Sequence, residues 1–197
     1  MAQARVKARR ATVFGGERFA VFAEALLTGV WIAVACLGVV TYPAAFAAGA
    51  RHLRRRTRHE AGGWREFVAD FRTAVRRGWL VGVAGWAAAA AVWVDVQAAR
   101  AGIPGGPFVG AVGLFALLAL AVAGLRAAAV WTPDASWRAL LADAVRRTLR
   151  DPAGSFLIVA GLAVVALSAG FVAPLAVPVL GAVAAAAVAV EERYRHR

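Results

Sequence analysis

Apolar residues along this chain fall in long unbroken blocks, and the charged residues fall between them. The first block runs from about Phe19 to Tyr42 and is interrupted only by Glu24. At about 1.5 Å per residue it reaches about 36 Å, enough to cross a hydrocarbon core of about 30 Å with some tilt. Further blocks cover about 79–96 and 109–131. A last block, Ser155 to Val190, has no ionisable residue. As one helix it would run about 54 Å, too long for one crossing, so it predicts a hairpin turning near Gly170 to Pro174, with spans over 155–171 and 174–190.

Between the blocks the period changes. In WREFVADFRTAVRRG, residues Trp64, Phe67, Val68, Phe71 and Val75 fall on one face of an α-helix, with Arg, Glu and Asp around the rest. From Trp137 to Arg150 the same pattern returns. Trp137, Leu140, Leu141, Ala144, Val145 and Thr148 line one side, and the arginines line the other. Both segments (about 64–78 and 134–150) read as amphipathic helices lying at the membrane interface. They open on nearly the same phrase, WREFVAD and WRALLAD, and each follows a Thr–Pro signal, Thr41-Tyr42-Pro43 or Thr132-Pro133. The repeat reads as span, basic interfacial helix, span, used twice. Duplication and a shared physical solution both account for it.

The expectation is an all-α, polytopic membrane protein with about five transmembrane helices and two cytoplasmic amphipathic helices. A basic segment over 1–18 precedes a single transmembrane domain over 19–190, and a polar tail over 191–197 follows it. Composition agrees: 61% of residues are apolar and 17% charged, against roughly 45–50% and about 25% in soluble proteins. The basic segment and the AAFAAGA after the first block have the look of a signal peptide. The apolar stretch exceeds the usual core of about 7–15 residues, so an uncleaved span is expected.

A net charge of +12 would suggest nucleic acid in a soluble chain. Here the basic residues sit between apolar blocks, as cytoplasmic loops of membrane proteins require. Residues 43–78 carry nine arginines and 132–154 carry four, whereas the 98–108 loop carries only Arg100. Five spans with these loops inside put the N-terminus outside and the C-terminus inside, in the bacterial cytoplasmic membrane. The basic N-terminal segment argues for the other arrangement, a re-entrant hairpin over 19–50 with both ends inside. The single cysteine, Cys36, has no partner for an internal disulfide.

Charges within spans are functional candidates, which singles out Glu24, Asp95 and Arg126 as an intramembrane polar site. In the five-span arrangement Glu24 and Asp95 both face outward; in the re-entrant one Glu24 lies inside, within reach of Arg126. The ends of spans are also where long charged side chains snorkel to the interface. Arg51, Arg54, Arg55, Arg56, Arg58, Trp64, Arg65, Trp137 and Arg138 form a second candidate set, for contact with anionic lipid headgroups or an acidic cytoplasmic partner. His52, His59 and Glu60 lie amid arginines that repel a dication, so no metal is expected. No phosphate-binding glycine loop, nucleophile motif or paired acid–base group is present, and no cofactor or enzymatic activity is expected.

TYPAAFAAGARHLRRRTR followed by WREFVADFRTAVRRGWLVG resembles the signature of the YesL-type family of bacterial integral membrane proteins. The likeness lies in Trp31 within the first block, in Thr41, Pro43, Ala44 and Ala47 opening a helix, in Phe67 and Phe71, and in Asp95 closing the next span. It covers residues 19–97. Thr28 stands near the place of an Asn often found before the Trp, and Thr41 and Pro43 are one residue closer than in the usual pattern. The resemblance implies a small protein of about five spans, associated with carbohydrate-uptake systems. The expected role is therefore an accessory or regulatory partner of a transport system. The alternative is an autonomous small transporter or channel with a polar pathway between the two repeats.

Overall fold

A computed structural model describes residues 23–58, 60, 62–171 and 173–195; segment 1–18, the start of the first block and His59 lie outside them. Every described element is helical. In chain order these are α1 (Ala23–Cys36), α2 (Tyr42–Thr57), α3 (Trp64–Arg100), α4 (Gly106–Val130), α5 (Trp137–Arg150), α6 (Pro152–Phe171) and α7 (Ala173–Arg195). Helices α3, α4 and α6 are each long and apolar enough to cross a membrane. Their outward faces carry large apolar side chains, such as Phe115 and Phe156, each 75% exposed. Water would make such a surface aggregate; hydrocarbon is its natural solvent. The protein is a helical membrane protein.

Helices α6 and α7 form the hairpin that the last apolar block requires, packed along Gly161 and Val183. The first block behaves differently. The expected uninterrupted crossing over 19–42 is not what the described residues form. Helix α1 stops at Cys36 and the chain reverses through 37–41. Three local causes coincide. Val39, Val40 and Thr41 are β-branched and hold a helix poorly. The Thr41 hydroxyl donates to the Ala35 carbonyl at 2.6 Å, closing the end of α1. Pro43 fits only the first turn of a new helix. Helix α2 then runs back beside α1, so Glu24 meets His52 and Arg56 near the end of α2.

The tip of this hairpin lies near the middle of α3. The Val40 carbonyl packs on Gly82, the Tyr42 hydroxyl packs on Gly85, and Trp86 Nε1 donates to the Val39 carbonyl at 2.9 Å. A side chain at Gly82 would collide with backbone, so only glycine admits the tip. Behind the tip, α2 is wedged among its neighbours through Ala44, Ala45, Ala47, Ala48 and Ala50, each at most 2% exposed. Gly29 of α1 and Gly181 of α7 bring two further backbones together. Trp31 closes the hairpin against the start of α3, with ring centroids 5.6 Å from Trp64 and 5.4 Å from Phe67. Glu24 stands at the same end of the bundle as Arg54, Trp131 and Glu191.

A second correction concerns 64–78. It is not a separate helix lying flat but the first part of α3, which runs unbroken for 37 residues, about 55 Å. A single glycine, Gly78, stands at the expected break and does not interrupt the helix, because it is filled from outside by the Trp137 ring. The segment expected at 134–150 does form its own helix. Helix α5 reaches sideways from Gly78 of α3, through Trp137, to Glu191 of α7, through Arg147. On the way Ala144 packs with Ala123 and Ala127 of α4. The two similar phrases therefore both open helices but serve different roles. Trp64 is half exposed, whereas Trp137 is 4% exposed.

Candidate functional site

Two ionic clusters occupy one end of the bundle. The inner one is built on Arg126, in the last turns of α4, whose side chain is fully buried. It donates to Asp151 at 3.0 Å and to Glu191 at 3.1 Å. Asp151 also begins α6: its Oδ1 accepts the Gly154 N–H at 3.2 Å, with Pro152 in the first turn between them. The sequence Asp-Pro-Ala-Gly is thus a helix start and half of an ion pair at once. Gly154 is required there, because a Cβ would press on the guanidinium and the Asp151 carboxylate. Glu191 accepts a second bond from Arg147 of α5, and Arg147 also reaches Asp143 at 3.1 Å. Arg193 lies 3.6 Å from Asp151. One buried cation therefore ties α4, α6 and α7 together, and Arg147 adds α5.

Of the two readings open for Arg126, a polar site within the span or snorkelling to an interface, the described residues favour the first: it is buried and paired. Burial raises the Asp151 carboxyl, but Arg126, the Gly154 N–H and Arg193 outweigh it and hold the carboxyl below its usual range. An unpaired guanidinium at this depth would cost several kcal/mol.

The outer cluster surrounds α2. Glu24 joins His52 at 2.7 Å and Arg56 at 2.6 Å. The buried His52 ring stands edge-on to Trp31, centroids 4.9 Å apart. Asp70 takes Arg51 and, at 3.1 Å, Arg55. Burial raises the Asp70 carboxyl in spite of both cations. Arg54 donates to the Trp131 carbonyl at 2.5 Å. Burial, with the nearby charges of Arg195, Arg58 and Arg51, pushes its guanidinium down to about 10.

The expected polar site of Glu24, Asp95 and Arg126 is not assembled. Glu24 and Arg126 belong to separate clusters. Asp95 lies toward the opposite end of α3, beside Gly113 of α4. The second expected set also divides. Arg51, Arg54, Arg55 and Arg56 bind other helices and Trp137 is buried, whereas Arg58, Trp64, Arg65 and Arg138 remain exposed. Asp70, Arg147, Asp151 and Glu191 were not anticipated. A signal for two of them existed: Asp151 and Glu191 are acids at the borders of apolar blocks, at the end where Arg126 needs a counter-charge.

A cavity of about 350 Å³ opens among α2, α3, α4, α5 and α6, lined almost wholly by apolar residues including Phe46, Val81, Leu120, Gly124, Leu141 and Leu162. No family model, curated protein or solved structure matches the chain.

Proposed function

We propose that this is a multi-pass protein of the bacterial cytoplasmic membrane, acting as a non-enzymatic accessory or regulatory subunit of a transport system. Carbohydrate uptake is the class to which the YesL-type resemblance points. Helices α3, α4, α6 and α7 cross the bilayer, and α1–α2 enters from the charged side and returns. The arginine-rich end faces the cytoplasm, which places Glu24 and the end of α7 on the same, inner side.

The observation that carries this reading is the continuity of α3. Arg65, Arg72 and Arg76 are exposed and fall at i, i+7 and i+11, one stripe of the helix. Trp79 suits the headgroup zone. Arg65 then stands about 21 Å beyond it along the axis, whereas the polar zone of a bilayer leaflet is only about 5–8 Å thick. Arg72 stands about 10 Å beyond Trp79, so Arg65 and Arg72 stand clear of lipid, where a protein surface is their natural counterpart, and Arg76 lies at headgroup depth. Nearby carboxylates Glu24 and Asp70 are held in pairs with arginines of α2, and the exposed Glu66 offsets only one of the exposed Arg65, Arg72, Arg76 and Arg77, which leaves the outward charge positive. An acidic cytoplasmic face of a transport subunit fits it.

The test is crosslinking in native membranes followed by purification. Arg65→Gln, Arg72→Gln and Arg76→Gln together should abolish recovery of the transport subunit while leaving the folded yield unchanged. Equal recovery from the triple variant would defeat the proposal.

A further inference from the structure

We propose that the cavity beside α4 is a binding site for one anionic phospholipid, with an acyl chain inside it and the phosphate held by Arg77 and Arg138. The inference uses the membrane reading but not the docking stripe on α3.

The cavity has the chemistry of a chain site. Its walls come mainly from the apolar stretches of α3 and α4, with Tyr42 and Phe46 of α2, Leu162 of α6 and Leu141 of α5 completing them. Water inside it would meet almost no hydrogen-bonding partner. Its lining lies alongside the outward faces that meet hydrocarbon, so a lipid chain is the apolar molecule at hand.

The charge at its mouth selects the headgroup. Arg77 lies three and four residues before the lining residues Leu80 and Val81, hence on the same face of α3. Its guanidinium donates to the Pro133 carbonyl at 3.2 Å, reaching toward the start of α5. Arg138 lies three residues before the lining residue Leu141, at the border between the apolar and basic sides of α5. Both arginines are exposed. Each therefore stands about one helical turn from the cavity, Arg77 on its charged side along α3 and Arg138 beside it along the sideways helix α5. That is headgroup depth, because Arg77 lies two residues from Trp79. Beside them, Trp137 Nε1 is a buried donor without a partner among the described residues. Beyond α5's contact with the cavity, Val145 and Leu149 are 48% and 78% exposed, so the helix offers further apolar surface to the same leaflet.

Gly124 supplies the means of testing this. It lines the cavity, and a Cβ built on it meets nothing within 4 Å. Gly124→Leu should fill the space without disturbing a neighbour. The experiment is native mass spectrometry of the detergent-purified protein titrated with phosphatidylglycerol and, separately, phosphatidylcholine of the same chains. The parent should retain one phosphatidylglycerol at least tenfold more tightly than phosphatidylcholine. Gly124→Leu should weaken retention of both lipids at least tenfold. Arg77→Gln with Arg138→Gln should erase the preference, weakening phosphatidylglycerol retention far more than that of phosphatidylcholine. A photoreactive acyl chain should label residues 117–128. Equal retention of the two lipids by the parent would overturn the headgroup assignment. Undiminished retention by a folded Gly124→Leu variant, or labelling elsewhere only, would overturn the cavity assignment. Failure here with an intact α3 complex would leave the docking role untouched, and the reverse result would separate them equally well.

Discussion

Replacing Arg126 with methionine keeps much of the side chain's length but removes the charge at the centre of the inner cluster. In the parent, the guanidinium has no exposure and bonds Asp151 and Glu191 at 3.0 and 3.1 Å. Breaking a buried pair by deleting one partner typically costs about 3–5 kcal/mol, because the other charge is left buried. Here each carboxylate keeps a second cation, Arg193 for Asp151 and Arg147 for Glu191. The loss should therefore fall near the lower end, about 3 kcal/mol, or roughly 150-fold in the folding equilibrium. Dodecyl maltoside micelles titrated with SDS, followed by tryptophan fluorescence, would measure it. Glu191→Gln should cost a similar amount, and the double variant should cost clearly less than the sum, as groups sharing one network do. An Arg126→Met variant within about 0.5 kcal/mol of the parent, or strictly additive losses, would show that the cluster does not hold α4, α6 and α7 together.

Other consequences are as direct. Gly82→Leu should prevent the α1–α2 tip from seating, because any side chain meets the Val40 carbonyl, whereas Gly124→Ala should be tolerated. Folded yield on size exclusion separates these two outcomes. Reporter fusions should place Met1 in the cytoplasm and residue 104 outside; an external Met1 would contradict the re-entrant hairpin. Asp151 has a lowered carboxyl in the fold, so its contribution is complete above its ordinary value of 3.8. That contribution is lost as pH falls through the lowered value, when the folded carboxylate takes up its proton. Asp151→Asn should therefore be less stable than the parent at neutral pH, and the gap should shrink in acid. A gap that stays constant down to pH 3 would refute the assignment.

Much of this was legible in the residues. Unbroken apolar blocks dictate helices in hydrocarbon, since no other local structure satisfies the backbone there. The length of Ser155 to Val190 dictates a hairpin, and the arginine distribution marks one end as the charged one. The glycines at 78, 82 and 85 fall at helical spacing, and the structure uses each of them for close approach. Where the reading went astray, two local signals were close in strength. Block 19–42 is long enough to cross, yet Val39-Val40-Thr41 before a proline turns the chain back. Gly78 looked like a boundary, but a glycine alone rarely ends a helix when a neighbour fills the gap.

The charged residues show the division most plainly. Sequence alone determined that Glu24 and Arg126 are exceptional, because a charge in an apolar block needs a counter-charge or water. Only the tertiary structure decided which partner each receives. Glu24 meets His52 and Arg56 because the chain reverses at 37–41, and Arg126 meets Asp151 and Glu191 because three helix ends converge. Those partners lie 25 to 65 residues away along the chain. No local period carries information over such distances; the packing of helices against one another does.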